Sequence, residues 1–395
     1  MKIVADENIP LLTSFFGGFG DIVSCHGRTM TAADVRDADL LLVRSVTKVN
    51  EQLLSGSSVK FVATATSGTD HVDKDWLREN NIGFSSAAGC NAEAVVDYVM
   101  AALDTLMEEQ GFHLQDKTVG IVGYGQVGSR LYQRLTALGV NCLNCDPFKD
   151  APDNTEIDEL IEKVDILSLH TPYTRNCQHP TFHLLNDKRL RYFSENAGNG
   201  ILINAGRGEV VDNAALKSLL KETHSLTAVL DVWESEPSID PELLDLVTLG
   251  TPHIAGYSVD GKVRGTAMIY QAACEFLNRR EDVKYDEVNP APLLQSLTIA
   301  SDNHQEASAA TIRMVYDIRR DDMRLRRAVA RHPENIAREF DLLRRHYPRR
   351  REFSTLCLEL EDCSPEVREY LAGYGFSIND NSYNNNSSKS SAGNR

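Results

Sequence analysis

The chain opens as an alternation of short apolar runs and polar helix-forming stretches. KIVAD (2–6), DIVSC (21–25), ADLLLV (38–43) and VKFVATA (59–65) are β-rich and of a length suited to buried strands. TKVNEQLL (47–54) and DKDWLREN (73–80) lie between or after them and read as helices. Such alternation predicts a parallel sheet with helices on its faces. A long helix should follow Asn91, a suitable N-cap, with Glu93 in its first turn and Gly111 as its stop. A second alternating set begins at Lys117: KTVGIVG, VNCLNCD, VDILSLH, GILINAG and SLTAVLD. Each run ends near a residue of chemical interest. Ligands in open α/β sheets sit beyond the C-terminal strand ends, so the placement points to a site.

The texture changes beyond about residue 285. VNPAPLLQS (288–296) reads as a linker, and Arg313 to Arg351 is rich in arginine interleaved with Asp317, Asp321, Asp322, Glu334, Glu339 and Asp341. Such mixing suits a solvated or subunit-contacting face better than an anion site or a nucleic-acid surface. STLCLEL, SPEVREYLAG and YGFSI then predict strand, helix and strand, completing a small third α/β domain. The Asn/Ser-rich end, 379–395, reads as disordered.

Composition narrows the class. The 395 residues are 42% hydrophobic and 25% charged, ordinary for a globular chain of two or three domains. A net charge of −16 argues against nucleic acid or anionic membrane as a partner. No run of about 18 apolar residues exists to span a membrane, and the N-terminus reads as a strand rather than a signal peptide. Eight scattered cysteines predict reduced thiols and a cytoplasmic setting. Cys142 and Cys145 are three apart on a predicted strand, so they point to opposite faces, and no metal site is expected.

The first chemical motif is GYGQVG, residues 123–128, which follows a strand and opens a helix (126–138). Gly123 permits the tight turn, Gly125 the approach of a pyrophosphate, and Gly128 close helix–strand packing, with Gln126 and Val127 between them. The helix N-terminus offers free N–H groups to phosphate. Asp146 ends the next strand, 18 residues after Gly128, and is placed for a ribose 2′-OH. A carboxylate there would repel a 2′-phosphate, so the expected cofactor is NAD.

Three later residues complete a reaction centre. Arg207 lies between two glycines past a strand, Glu236 precedes Pro237, and His253 sits in TPHIAG. An arginine can fork a substrate carboxylate, a histidine can take the hydroxyl proton as C2 loses a hydride, and a carboxylate can orient the imidazole. Each has a plainer role open to it: surface pair, turn cap, or turn histidine bonded to backbone. Glu234 competes with Glu236, and His170 competes with His253.

These motifs, with SGTDHVD (67–73), HTP (170–172), INAGRGEVVD (203–212) and LDVWESEP (230–237), resemble the D-isomer-specific 2-hydroxyacid dehydrogenases. The resemblance implies two doubly wound parallel-sheet α/β domains: a discontinuous substrate domain (1–95 and 255–285) around an inserted Rossmann nucleotide domain (96–254), with the active site in the cleft. It implies Arg207, Glu236 and His253 as catalytic residues, and adds Thr171, Asp231 and Gly256 to the NAD site. KIVADENIP, VRSVTKVNEQLL, TATSGTDHVD, GCNAEAV, AGYSVDGKVRGT and VYDIRRDD are similar to one branch, the erythronate-4-phosphate dehydrogenases of pyridoxal phosphate biosynthesis. That branch carries the third domain, here 286–378, which implies a homodimer. Its substrate is a small phosphorylated hydroxy acid, with contacts implied at Ser45, Thr66 and Tyr257. Beside these, Arg44 adds charge and Ser67 and Gly68 add hydroxyl and N–H groups suited to an anion. Two other functions stay open: another D-2-hydroxyacid dehydrogenase, of 3-phosphoglycerate or glyoxylate type, and a NAD-sensing corepressor.

Overall fold

A computed structural model describes residues 1–379; the tail expected to be disordered lies, from residue 380 on, outside the described residues. The chain divides into two compact units, Met1–Glu93 with Tyr257–Ala291, and Ala94–Gly256 with the described residues from Pro292 on. No helix among the described residues is long and apolar enough to cross a membrane.

The first unit holds five strands: β1 (Lys2–Asp6), β2 (Asp21–Cys25), β3 (Leu40–Val43), β4 (Phe61–Thr64) and β5 (Gly83–Ser86). They pair in the order β2-β1-β3-β4-β5, all parallel. β3 and β4 are buried on both faces, which is why their sequences are unbroken apolar runs rather than alternations. On one face Phe15, Phe16, Ile3, Leu40 and Phe61 pack with Tyr270 and Ala273 of the helix Val259–Phe276.

The second unit holds β6 (Thr118–Val122), β7 (Asn141–Cys145), β8 (Ile166–Leu169), β9 (Gly200–Asn204), β10 (Leu226–Leu230) and the two-residue β11 (Leu249–Gly250). Their order is β11-β10-β9-β8-β6-β7, again wholly parallel. The order reverses at β6, which lies between β7 and β8, and the glycine motif follows β6 at that switch point. The predicted long helix runs Ala92–Gln110 and ends at Gly111, whose φ of 68° terminates it.

A third sheet joins β12 (Ser296–Ile299), β13 (Cys357–Leu360) and β14 (Ser377–Asn379) in parallel. Its segment shares a core with the nucleotide sheet: Leu325, Val329 and Phe340 are buried in one cluster with Leu230, Trp233 and Leu243. The arginine-rich stretch is therefore only partly a solvated face. Arg319 pairs with Asp317, the N-cap of the helix Ile318–Arg331, and Arg324 pairs with Asp321 within that helix. Arg326 and Arg350 instead turn inward, onto backbone carbonyls.

All eight cysteines are unbridged. Cys142 and Cys145 are buried on β7, and burial pushes their thiols up to about 12 and about 11. They are inert core residues.

Candidate active site

The predicted residues of the second unit all follow C-terminal strand ends. Gly123 follows β6, Asp146 β7, Thr171 β8, Arg207 β9, Asp231 β10 and His253 β11. The strand ladder extends one residue into these loops, through Gly123 N–H to Cys145 O, His170 N–H to Val122 O, Asp231 N–H to Asn204 O and Thr251 N–H to Leu230 O. The loops after β6, β8, β10 and β11 thus leave the sheet from fixed points.

The glycine motif forms a cradle that side chains would fill. Gly123 has a φ of 94°, and a Cβ on it would lie 2.9 Å from His170 O. A Cβ on Gly128 would lie 2.0 Å from Gly123 O, so no larger residue fits. Gly125 caps the helix Gln126–Ala137, and the space beside it is open. Thr171 Oγ1 is buried with no partner among the described residues, beside Gly123. Asp146 accepts Tyr124 N–H at 2.8 Å and Phe148 N–H at 2.9 Å, which fixes its carboxylate at the end of β7. Open glycine backbone, helix-terminal N–H groups, an orphaned hydroxyl and a fixed carboxylate are a donor set that suits a dinucleotide.

His253 lies in a left-handed turn, φ 55°, a conformation that costs a residue bearing a side chain of order 1 kcal/mol or more. Asp231 offsets that cost. Its backbone oxygen accepts His253 N–H at 2.7 Å, and its buried carboxylate accepts Ile254 N–H, Ala255 N–H and the Thr251 hydroxyl at 2.7, 2.9 and 2.7 Å. Burial raises the Asp231 carboxyl, while His253 and these donors oppose the rise. Asp231 therefore shapes the turn that presents the imidazole.

His253 Nδ1 lies 2.7 Å from Glu236 Oε2. Burial disfavours the Glu236 carboxylate, but His253, the Trp233 N–H and the charge of Arg344 outweigh it and hold the group below its ordinary range. A carboxylate can only accept, so the shared proton belongs to Nδ1; in the neutral imidazole Nε2 then carries the lone pair. The competing residues have other partners. Glu234 binds His183 Nε2 at 2.8 Å and Asn213 N–H at 2.9 Å. His170 contacts Ser168 Oγ at 2.9 Å, and burial pushes it down to about 4, too low for proton exchange near neutrality. Arg207 is half-buried; its Nη1 donates to Gly206 O, and its own carbonyl accepts Asn204 Nδ2. Gly256 ends the first segment of this unit, half-buried.

In the first unit Arg44 and Ser45 follow β3, and Thr66, Ser67 and Gly68 follow β4. Thr66 Oγ1 donates to Gly68 O and meets Thr64 Oγ1 at 2.8 Å, which in turn lies 3.0 Å from His71 Nε2. Ser67 Oγ accepts Gly89 N–H at 3.1 Å. The Lys262 ammonium lies 4.5 Å over the Tyr257 ring. Sequence reasoning assigned no role to Thr64, His71 or Lys262. The first two stand in TATSGTDH, where a hydroxyl alternates along a strand end; Lys262 had no local signal.

Residues 97–255 match the NAD binding domain of D-isomer specific 2-hydroxyacid dehydrogenases, and 288–371 match a domain of unknown function. The erythronate-4-phosphate dehydrogenase of Pseudomonas putida strain F1 is 49% identical over 379 residues, covering 95% of this chain and 99% of the relative. That of Chromohalobacter salexigens is 48% identical over 383 residues, covering 96% and 99%. In fold, the chain is similar to the NAD+-bound 3-phosphoglycerate dehydrogenase of Entamoeba histolytica, with a TM-score of 0.61 at 23% identity over 70% of this chain and 95% of that one. Near-identity of length with relatives about half identical leaves one assignment: the chain belongs to the erythronate-4-phosphate dehydrogenase family, within the NAD-dependent D-isomer-specific 2-hydroxyacid dehydrogenases.

Proposed function

We propose that this protein oxidises 4-phospho-D-erythronate at C2, giving (R)-3-hydroxy-2-oxo-4-phosphooxybutanoate, the step its relatives' name implies in pyridoxine 5′-phosphate synthesis. The observation that carries the reading is the 2.7 Å contact of His253 with Glu236, in the same unit as a dinucleotide cradle and in a chain that matches those relatives over 95% of its length.

Bound NAD supplies the hydride acceptor. Arg207 holds the substrate carboxylate by a charged fork and fixes which face of C2 is presented. His253 Nε2 takes the proton of the C2 hydroxyl as the C2–H bond breaks. Glu236 keeps the imidazole in the tautomer with Nδ1 protonated, and its negative charge favours the imidazolium that forms. In the reverse direction the imidazolium returns the proton, and Arg207 stabilises charge on the carbonyl oxygen. Gly123, Gly125, Gln126, Val127, Gly128, Asp146, Thr171, Asp231 and Gly256 hold the cofactor. Arg44, Ser45, Thr66, Ser67, Gly68 and Tyr257 contact the substrate and its phosphate. The C-terminal domain, 286–378, joins two chains into a homodimer, and the enzyme works in the cytoplasm.

The test is a substrate panel with NAD and a 2-keto acid present to reoxidise bound NADH. The reading predicts a kcat/KM for 4-phospho-D-erythronate at least about 100-fold above 3-phosphoglycerate or glycolate, since a site built to bind a phosphate and extra hydroxyl rejects substrates lacking either. Preference for 3-phosphoglycerate or glycolate would reassign the substrate within the family.

A further inference from the structure

The loop Gly250–Ala255, which carries His253, has its middle held from within. Thr251 N–H binds Leu230 O, Thr251 O accepts Trp233 Nε1, and Asp231 takes the N–H groups of His253, Ile254 and Ala255. Its two ends are held by residues much later in the chain. Gly250 N–H donates to Asp322 Oδ1 at 2.8 Å, and Ala255 O accepts Arg350 Nη2 at 2.6 Å.

Both supports are anchored. Asp322 is paired with Arg326 Nε at 2.9 Å, and the same guanidinium donates to Leu244 O and Val247 O at the end of the helix Pro241–Leu246. Arg350 is 5% exposed, lies 4.2 Å from the Tyr316 ring centroid, and also donates to Ala94 O. Removing a guanidinium from water is costly, and the two carbonyls that Nη2 meets return part of that cost. Charge-assisted bonds are also the stronger kind. The turn they enclose is strained at His253, and a strained turn keeps its shape only where its surroundings over-determine it.

We propose that the C-terminal segment belongs to the catalytic apparatus, with Asp322 and Arg350 as positioning residues that clamp the two ends of the His253 loop. This rests on the reading of His253 as the proton acceptor. The clamp acts through the loop and touches neither substrate nor cofactor. A shift of about 1 Å in the imidazole is enough to slow the reaction about 100-fold. Leu325, Val329 and Phe340, in the core shared with Trp233, give the clamp a rigid base.

The test uses the full chain in four variants: D322A, D322N, R350K and R350M. D322N keeps an oxygen acceptor for Gly250 N–H, and D322A does not. R350K keeps a cation for the Ala255 carbonyl, and R350M does not. Two readouts are taken: amide hydrogen exchange of the peptide spanning 250–255 in the NAD-free protein, and kcat with KM on the 2-hydroxy acid the wild type oxidises best. D322A and R350M are expected to exchange that peptide at least about tenfold faster and to lower kcat about tenfold or more at near-constant KM and NADH affinity. D322N is expected within about threefold of wild type, and R350K between wild type and R350M. If R350M does not fold, the half-buried Asp322 pair decides. Unchanged exchange in D322A overturns the clamp whatever the activity. Faster exchange with unchanged kcat in an active enzyme overturns it too, as does equal loss in D322A and D322N. An inactive wild type defeats the functional reading alone, and exchange then judges the clamp.

Discussion

Glu236 Oε2 stands 2.7 Å from His253 Nδ1, while Glu234, two residues earlier, is turned to His183 and the Asn213 N–H. Two carboxylates from one short loop thus serve different partners. Trp233 N–H, bonded to the other oxygen of Glu236, fixes which of the two faces the imidazole.

This division predicts unequal effects. E236Q should lower kcat by about 10–100-fold, because a neutral amide neither favours the imidazolium nor enforces the tautomer. E234Q should stay within a few-fold of wild type, as it acts on loop packing. Steady-state kinetics of the two variants checks this, and equal losses would remove the distinction.

The cradle makes a second prediction. A Cβ at position 128 would meet Gly123 O at 2.0 Å, a backbone atom that cannot step aside. G128A should therefore push the helix Gln126–Ala137 off the end of β6 and weaken NADH binding about 100-fold or more, read by fluorescence titration. Binding within about threefold of wild type would contradict it.

Stability should carry a pH signature from Asp104, a buried residue of the helix Ala92–Gln110. Burial raises its carboxyl to about 6, against the opposing charge of Arg313. The folded state then binds this proton more tightly than the unfolded chain. Its contribution favours folding at about pH 4 and is lost as pH rises to about 6. D104N should be more stable than wild type at pH 7.5 by about 2–3 kcal/mol, with the gap closing toward pH 4. Denaturant unfolding at both pH values measures it; a gap independent of pH would exclude the burial account.

Much of this was legible in the sequence, for local reasons. β1, β3, β4 and β6 are buried strands whose apolar runs mark them directly, and the glycine motif with Asp146 needs only the order strand, turn, helix, strand. β5, GFSS, was missed because it is half-buried and carries no apolar run. β11 has only two residues, and its place is set by the loop toward His253. Spacing left Glu236 and Glu234 both open, since it does not encode which way each side chain turns; the family resemblance alone implied Glu236. Asp322 and Arg350 were not legible at all, since they meet Gly250 and Ala255 across 72 and 95 residues. Their segment looked like charged surface because inward and outward arginines have the same composition.

The central claim is that His253 accepts the substrate proton. The direct measurement is turnover of 4-phospho-D-erythronate, with NAD and a 2-keto acid, by wild type and H253A in parallel. The account predicts a kcat about 10²–10⁴-fold lower in a variant that still folds and binds NADH as wild type does. Activity within a few-fold of wild type in that variant would contradict it and place the proton on another group.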